Sequence, residues 1–211
     1  MSKTTLTYFN ARGAAEGIRY MLAAAGVDYE DKRVTQEEWP ALKPDQPFGQ
    51  LPVLTVTSNG DTQQIPQVRA IYRYLARTYG LYGNGICEQT QIDVALEVCE
   101  EFTFPMITYW IEKDPDTKAK KKTELIEECV PKVFPKVLKM LEANNGGAGW
   151  VIGEKISIAD ICFMATCEML IRQSSEETIF GKFPKLQKYY ERIRAQKGIA
   201  AWIKKRPETE N

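Results

Sequence analysis

Strand and helix patterns share the first part of the chain, and only helix patterns follow. Residues 3–9 (KTTLTYF) are rich in Thr, Tyr and Phe, which suit a pleated surface, so a short strand is predicted there. From Arg12 the period becomes helical, with Ile18, Met21, Leu22 and Ala25 on one face and Gly26 as the stop. Residues 29–34 (YEDKRV) predict a second, exposed edge strand. A strand–helix–strand opening implies a parallel pair. Residues 52–65 then carry a hairpin signal: the apolar, β-branched run PVLTVT, an Asn59-Gly60 turn, and the return strand TQQI. A helix is predicted from about Gln67 to Tyr79, with Ile71, Leu75 and Tyr79 on one face. The glycine-rich run GLYGNG (80–85) marks a junction.

Beyond it, residues 87–112 form one long amphipathic pattern. Asp114-Pro115 reads as an N-cap with Pro at the first helical position. Residues 116–142 are helical, with Pro131 and Pro135 expected to bend or interrupt them, and NNGGAG (144–149) is a loop. Ser157 and Asp160 have capping-box spacing, flanked by Ile156 and Ile161 at staple positions. The helix that follows is apolar almost all round, as a buried central helix would be. Shorter helices are expected at 185–196 and 199–205. The fold class is therefore α+β: an α/β unit over 1–80, a linker at 81–85 and an all-helical unit over 86–211.

Composition narrows the chemistry. Lys plus Arg and Asp plus Glu number 28 each in 211 residues, so no net basic field exists to attract nucleic acid. The chain has no histidine, which excludes a Ser-His-Asp triad, a Cys-His dyad and a His-ligated zinc. Proton transfer falls to Tyr, Cys, Lys, a carboxylate or water. The five cysteines form no CxxC pair. The start, MSKTTLTYF, lacks the apolar core of a signal peptide, and no run suits a membrane span. A reduced, cytoplasmic protein with no membrane partner is expected.

Tyr8 ends the first strand, where ligand crevices of α/β folds open. Its phenol is either an ordinary strand aromatic or a donor that lowers the pKa of a nearby thiolate. Leu51-Pro52 opens the third strand. A trans bond makes it a loop proline; a cis bond turns the Leu51 amide outward, ready to pair with a peptide. Gln67-Val68 is a plain helix start or a carboxylate site made by unpaired N–H groups. Glu97, Glu100 and Glu101 share a helical face that is a solvated acidic surface, an ammonium site or a metal site. Lys118–Lys122 is a solvated helix face, and Trp39 and Lys43 precede the proline segment.

Taken together, these segments resemble the cytosolic glutathione transferases, most closely the sigma class, which includes haematopoietic prostaglandin D synthase and the S-crystallins of cephalopod lenses. TYFNARGAAEGIRYMLAAAGVDYED is similar to the family's first strand and helix, and WPALKPDQPFGQLPVL resembles its W-P-x-x-K…P-F-G-x-x-P segment. IPQVRAIYRYLAR resembles Q-S-x-A-I-x-R-Y-L-A, ISIAD the capping segment of the buried helix, and AAWIKKRPETEN the sigma-class tail.

The resemblance implies a thioredoxin-like first domain, a helical second domain and a homodimer that uses glutathione as co-substrate, with no metal. It places Tyr8 at the glutathione sulfur, and Gln50, Leu51 and Pro52 beside the cysteinyl part. Trp39 and Lys43 fall at the glycine carboxylate, Gln67 and Val68 at the γ-glutamyl end. Glu101 would reach the glutathione of the partner subunit. Phe9 and Ala14 would face a hydrophobic electrophile, with residues 97–111 on its other side. Two positions depart from the family: Val68 replaces a serine, and Ala14 replaces an arginine. Both point to weakened glutathione affinity. The implied activity is conjugation of glutathione to small electrophiles. The alternatives are an S-crystallin-like structural or binding protein and a prostaglandin D synthase-type isomerase.

Overall fold

The structure, a computed structural model, describes residues 3–209. Met1, Ser2, Glu210 and Asn211, which the readings of the chain's start and tail include, lie outside the described residues. The chain forms two compact units. Among the described residues, one takes in those through Gly80 together with those from Gln196; the other runs from Leu81 to Ala195.

The first unit is built on a four-stranded sheet in the order β2-β1-β3-β4. Strand β1 (Lys3–Phe9) pairs in parallel with β2 (Glu30–Val34) and antiparallel with β3 (Val53–Ser58), which forms a hairpin with β4 (Asp61–Pro66). The polar β2 lies at a sheet edge. The hairpin turns at Asn59 (φ 54°) and Gly60 (φ 89°), the two positive φ values a tight hairpin turn of this kind needs.

Helix α1 (Glu16–Ala24) buries Ile18, Met21 and Leu22 and ends before Gly26, whose φ of 65° is the left-handed stop. It starts later than Arg12 because Gly13 takes a φ of 38° and heads a 3-10 turn, Gly13–Ala15. A single helical turn, α2 (Trp39–Leu42), lies in the stretch before the Leu51-Pro52 step, to which the sequence pattern assigns no element. Its signal is a reciprocal cap: the Thr35 N–H donates to Glu38 Oε2 (2.8 Å) and the Glu38 N–H to Thr35 Oγ1 (3.2 Å). Helix α3 (Val68–Tyr79) ends on Gly80 in the left-handed region.

In the second unit the 87–112 pattern is two helices, α4 (Gly85–Glu100) and α5 (Thr103–Ile111). Pro105 explains the break: it has no N–H, and its ring excludes the carbonyl of Glu101 from a continuous helix. Helix α6 (Pro115–Glu124) has Asp114 as its cap, accepting from the Thr117 N–H at 2.8 Å. A π-helical turn, Leu125–Cys129, then leads into α7 (Val130–Ala143). The widened turn sits where the ring of Pro131 would press on the preceding turn, so the helix is distorted rather than broken.

Helix α8 (Ile158–Gln173) is largely buried and keeps the capping box. Asp160, fully buried, accepts from the N–H groups of Val151 (2.8 Å) and Ser157 (2.6 Å) and from the hydroxyls of Ser157 (2.7 Å) and Tyr189. Helix α9 (Glu176–Phe180), not expected from the pattern, and α10 (Pro184–Arg194) complete the unit. Its core centres on Phe134, with Phe102, Phe163, Phe180 and Phe183 at 5.3–6.1 Å between ring centroids.

The last helix, α11 (Lys197–Lys205), packs on α1 and belongs to the first unit, whereas the sequence pattern placed all of 86–211 in the helical one. The contact is close: a Cβ on Gly198 would fall 1.9 Å from the carbonyl oxygen of Ala23.

Candidate functional site

Strand register brings three of the first unit's candidate residues to the same end of neighbouring strands. Thr7 pairs with Val53, and Val53 with Pro66. One step further along each strand stand Tyr8, Pro52 and Gln67.

Tyr8 is half-buried, and its Oη accepts a hydrogen bond from the Ala14 N–H at 3.2 Å. Burial lifts its pKa above the ordinary phenol value, while the Ala14 N–H and the charge of Arg19 pull it partly back. The phenol is therefore protonated at neutral pH, with one lone pair engaged and its own proton available to an acceptor. Phe9 packs edge-on against Tyr8 (5.6 Å) and against Trp39 (5.5 Å), so the three rings form a row. Ala14, beside the hydroxyl, carries only an exposed methyl.

The Leu51–Pro52 peptide is cis, as the peptide-pairing alternative requires. Gln50 and Gln67, both exposed, meet through Gln67 Nε2 and Gln50 Oε1 at 3.4 Å. Gln67 caps α3 with φ 72° and makes no side-chain cap, and half-buried Val68 begins the helix. The first-turn N–H groups have no acceptor within the helix, a natural place for an anion. Lys43 follows Trp39 by one helical turn, its N–H bonded to the Trp39 carbonyl, and its side chain is exposed.

Glu101, in the second unit, is engaged within its own chain. Lys136 Nζ meets Oε1 at 2.5 Å and Lys132 Nζ meets Oε2 at 3.6 Å. The Lys136 hydrogen bond is the main reason its pKa is lowered. Its neighbour Glu100 accepts from the Thr103 hydroxyl at 2.8 Å. Among the described residues, no three or more Cys, Asp or Glu side chains gather as a metal site. All five cysteines are free thiols, and no described helix is long and apolar enough to cross a membrane.

Sequence reasoning passed over Gly13, whose missing Cβ leaves room for the Tyr8 hydroxyl. It also passed over Glu16 and Arg19, both buried in α1. The available signal was an arginine and a glutamate inside the otherwise apolar stretch EGIRYML, one turn apart.

Comparison with known proteins matches residues 4–77 to the glutathione S-transferase N-terminal domain and 100–206 to the C-terminal domain. The chain is 39% identical to S-crystallin SL11 of Nototodarus sloanii over 213 residues, covering 99% of both chains. It is 37% identical to hematopoietic prostaglandin D synthase of Gallus gallus over 209 residues, again covering 99% of both. Among solved structures, a C. elegans-specific GST superposes with a TM-score of 0.87 at 33% identity, covering 100% of each chain.

Proposed function

Because the chain belongs to the glutathione S-transferase family, we propose that it joins the glutathione thiolate to small hydrophobic electrophiles, with Tyr8 as the catalytic residue. The observation that carries this reading is the state of Tyr8. Its oxygen accepts from the Ala14 N–H, and burial keeps its proton on, so the hydroxyl is poised to donate to an anion. Glutathione loses its thiol proton to solvent, and the Tyr8 O–H stabilises the sulfur anion. The sulfur lone pair then forms a C–S bond at an electrophilic carbon, whose leaving group departs with the displaced electron pair. A preorganised donor aimed at developing charge is among the strongest rate effects a protein supplies.

The tripeptide lies across the strand ends where Tyr8, Pro52 and Gln67 stand. The backbone of Leu51 beside cis Pro52 pairs with its cysteinyl part, next to Gln50. Trp39 and Lys43 take the glycine carboxylate, and the start of α3 at Gln67 and Val68 takes the γ-glutamyl carboxylate. Phe9 and Ala14 face the electrophile. In the cytoplasm the protein works as a homodimer, in which Glu101 of the partner subunit meets the γ-glutamyl ammonium.

One observation favours a second reading. Ala14 places a methyl, and Val68 two, where cation and hydroxyl would strengthen anion binding. A crystallin-like protein with little turnover tolerates both changes; a prostaglandin isomerase is the narrower variant of the enzyme reading. Retention on immobilised glutathione, followed by conjugation of a generic aryl halide, separates them. Turnover that falls in Tyr8→Phe supports the enzyme; retention without turnover supports the binder.

A further inference from the structure

Beneath Tyr8 and Ala14 lies a buried charge cluster to which the reaction above gives no role. Arg19 is 0% exposed. Its Nε donates to Asp31 Oδ1 on β2 (3.1 Å), and its Nη1 to Glu16 Oε2 (3.0 Å) and to the carbonyl of Ala11 (2.8 Å). The other Glu16 oxygen accepts from Trp202 Nε1 and Arg206 Nη1, each at 3.0 Å. Arg206 also donates to the Tyr20 hydroxyl. Asp31 is shared with Arg33, whose guanidinium also donates to Asn10 Oδ1 at 3.1 Å.

Charges taken out of water are costly, and apolar side chains would pack the same space more cheaply. What the cluster grips is the turn between Tyr8 and Ala14: Arg33 holds Asn10 and Arg19 holds Ala11. That turn delivers the Ala14 N–H to Tyr8 Oη at 3.2 Å. We infer that Arg19 is a positioning residue for the reaction, and that helix α11 holds Arg19 in place through Trp202, Arg206 and Glu16. The path runs from α11 to Glu16, to Arg19, to the Ala11 carbonyl, and by the turn to Tyr8. The positive charge of Arg19 also acts on the Tyr8 phenol, which agrees with this placement. The inference rests on Tyr8 being the thiolate donor.

The test has two arms. In the ligand-free protein, amide exchange at Ala14 is compared among wild type, Arg19→Lys and Trp202→Phe. Faster exchange at Ala14, with the Leu6 and Leu54 amides of the sheet unchanged, is expected. Equal Ala14 exchange in all three overturns the inference. In the second arm, each variant is expected to lower kcat about 2- to 30-fold, the range of couplings carried through packed networks. KM for glutathione should stay nearly constant. In a Tyr8→Phe background Arg19→Lys should cost nothing more, because it acts through that hydroxyl. A full additional loss there also overturns it. If Arg19→Lys does not fold, Trp202→Phe and Arg206→Lys carry both arms. An unimpaired Tyr8→Phe would mark a failure of the functional reading instead, and the exchange arm is independent of it.

Discussion

A methyl group on Gly13 would stand 2.6 Å from the hydroxyl oxygen of Tyr8. Glycine is needed twice at this position, for the approach of the phenol and for a φ of 38°. Gly13→Ala should therefore cost about 1–2 kcal/mol in backbone conformation alone. It should also push the Tyr8 ring from its place, so turnover falls by more than the stability loss accounts for. Chemical denaturation and initial rates on the same preparation check this. A variant that loses stability and keeps full turnover would separate Gly13 from the site.

Much of the first unit's fold is legible because its signals are local: the hairpin turn at Asn59-Gly60, the apolar face of α1, the stop at Gly80. The break between α4 and α5 is legible once Pro105 is weighed, and α2 once Thr35 and Glu38 are read as a cap. The place of α11 is not legible. Its amphipathic pattern says that a face is buried, and nothing in it names α1 as the partner. The same limit applies to the site. Position at element ends makes Tyr8, Gln67 and the Leu51-Pro52 step candidates, each beside an ordinary structural reading. Arg19 is harder to read, because its spacing from Glu16 fits a solvent-facing helical ion pair equally well until both are seen to be buried beside Asp31.

The tyrosines set an upper pH limit. Burial raises the phenols of Tyr8, Tyr29, Tyr189 and Tyr190 above their ordinary value of about 10. A group whose folded pKa is raised gives stability that is complete below its unfolded pKa and is lost as pH climbs toward the folded one. The denaturation midpoint should therefore hold steady through the neutral range and fall above about pH 10. Within the working range Tyr8 stays protonated, so the rising limb of the pH–rate profile belongs to the thiol of glutathione. In Tyr8→Phe that limb should move to higher pH as the thiolate loses its donor. A limb that stays in place would remove Tyr8 from sulfur activation.

Glu101 must change partners if it serves the other subunit's glutathione. Its bonds to Lys136 and Lys132 lie near the surface, where such pairs are worth at most about 1 kcal/mol, so exchange for a ligand ammonium is inexpensive. Lys136→Ala removes the competitor. Glutathione binding to the dimer should tighten by a few-fold in this variant and weaken in Glu101→Gln. Sedimentation should give twice the chain mass for both. Calorimetric titrations in which neither substitution moves the affinity would show that Glu101 takes no part.

The sharpest prediction concerns Val68. It is the first residue of α3, after a Gln67 whose positive φ turns the chain into the helix without a side-chain cap. The attraction for a γ-glutamyl carboxylate comes from the helix end, typically about 0.3–1 kcal/mol per charge, together with the Gln67 amide. A serine hydroxyl at this position would add a charge-assisted hydrogen bond of roughly 1.5–3 kcal/mol. The bond outweighs the helix-end attraction, so Val68→Ser should tighten glutathione binding by about ten- to a hundred-fold. Val68 is half-buried, and losing its methyls subtracts a small packing contribution. Titration calorimetry on the two proteins decides the matter. If their affinities match, the carboxylate does not lie at the start of α3 or is satisfied by the backbone alone, and the γ-glutamyl assignment falls.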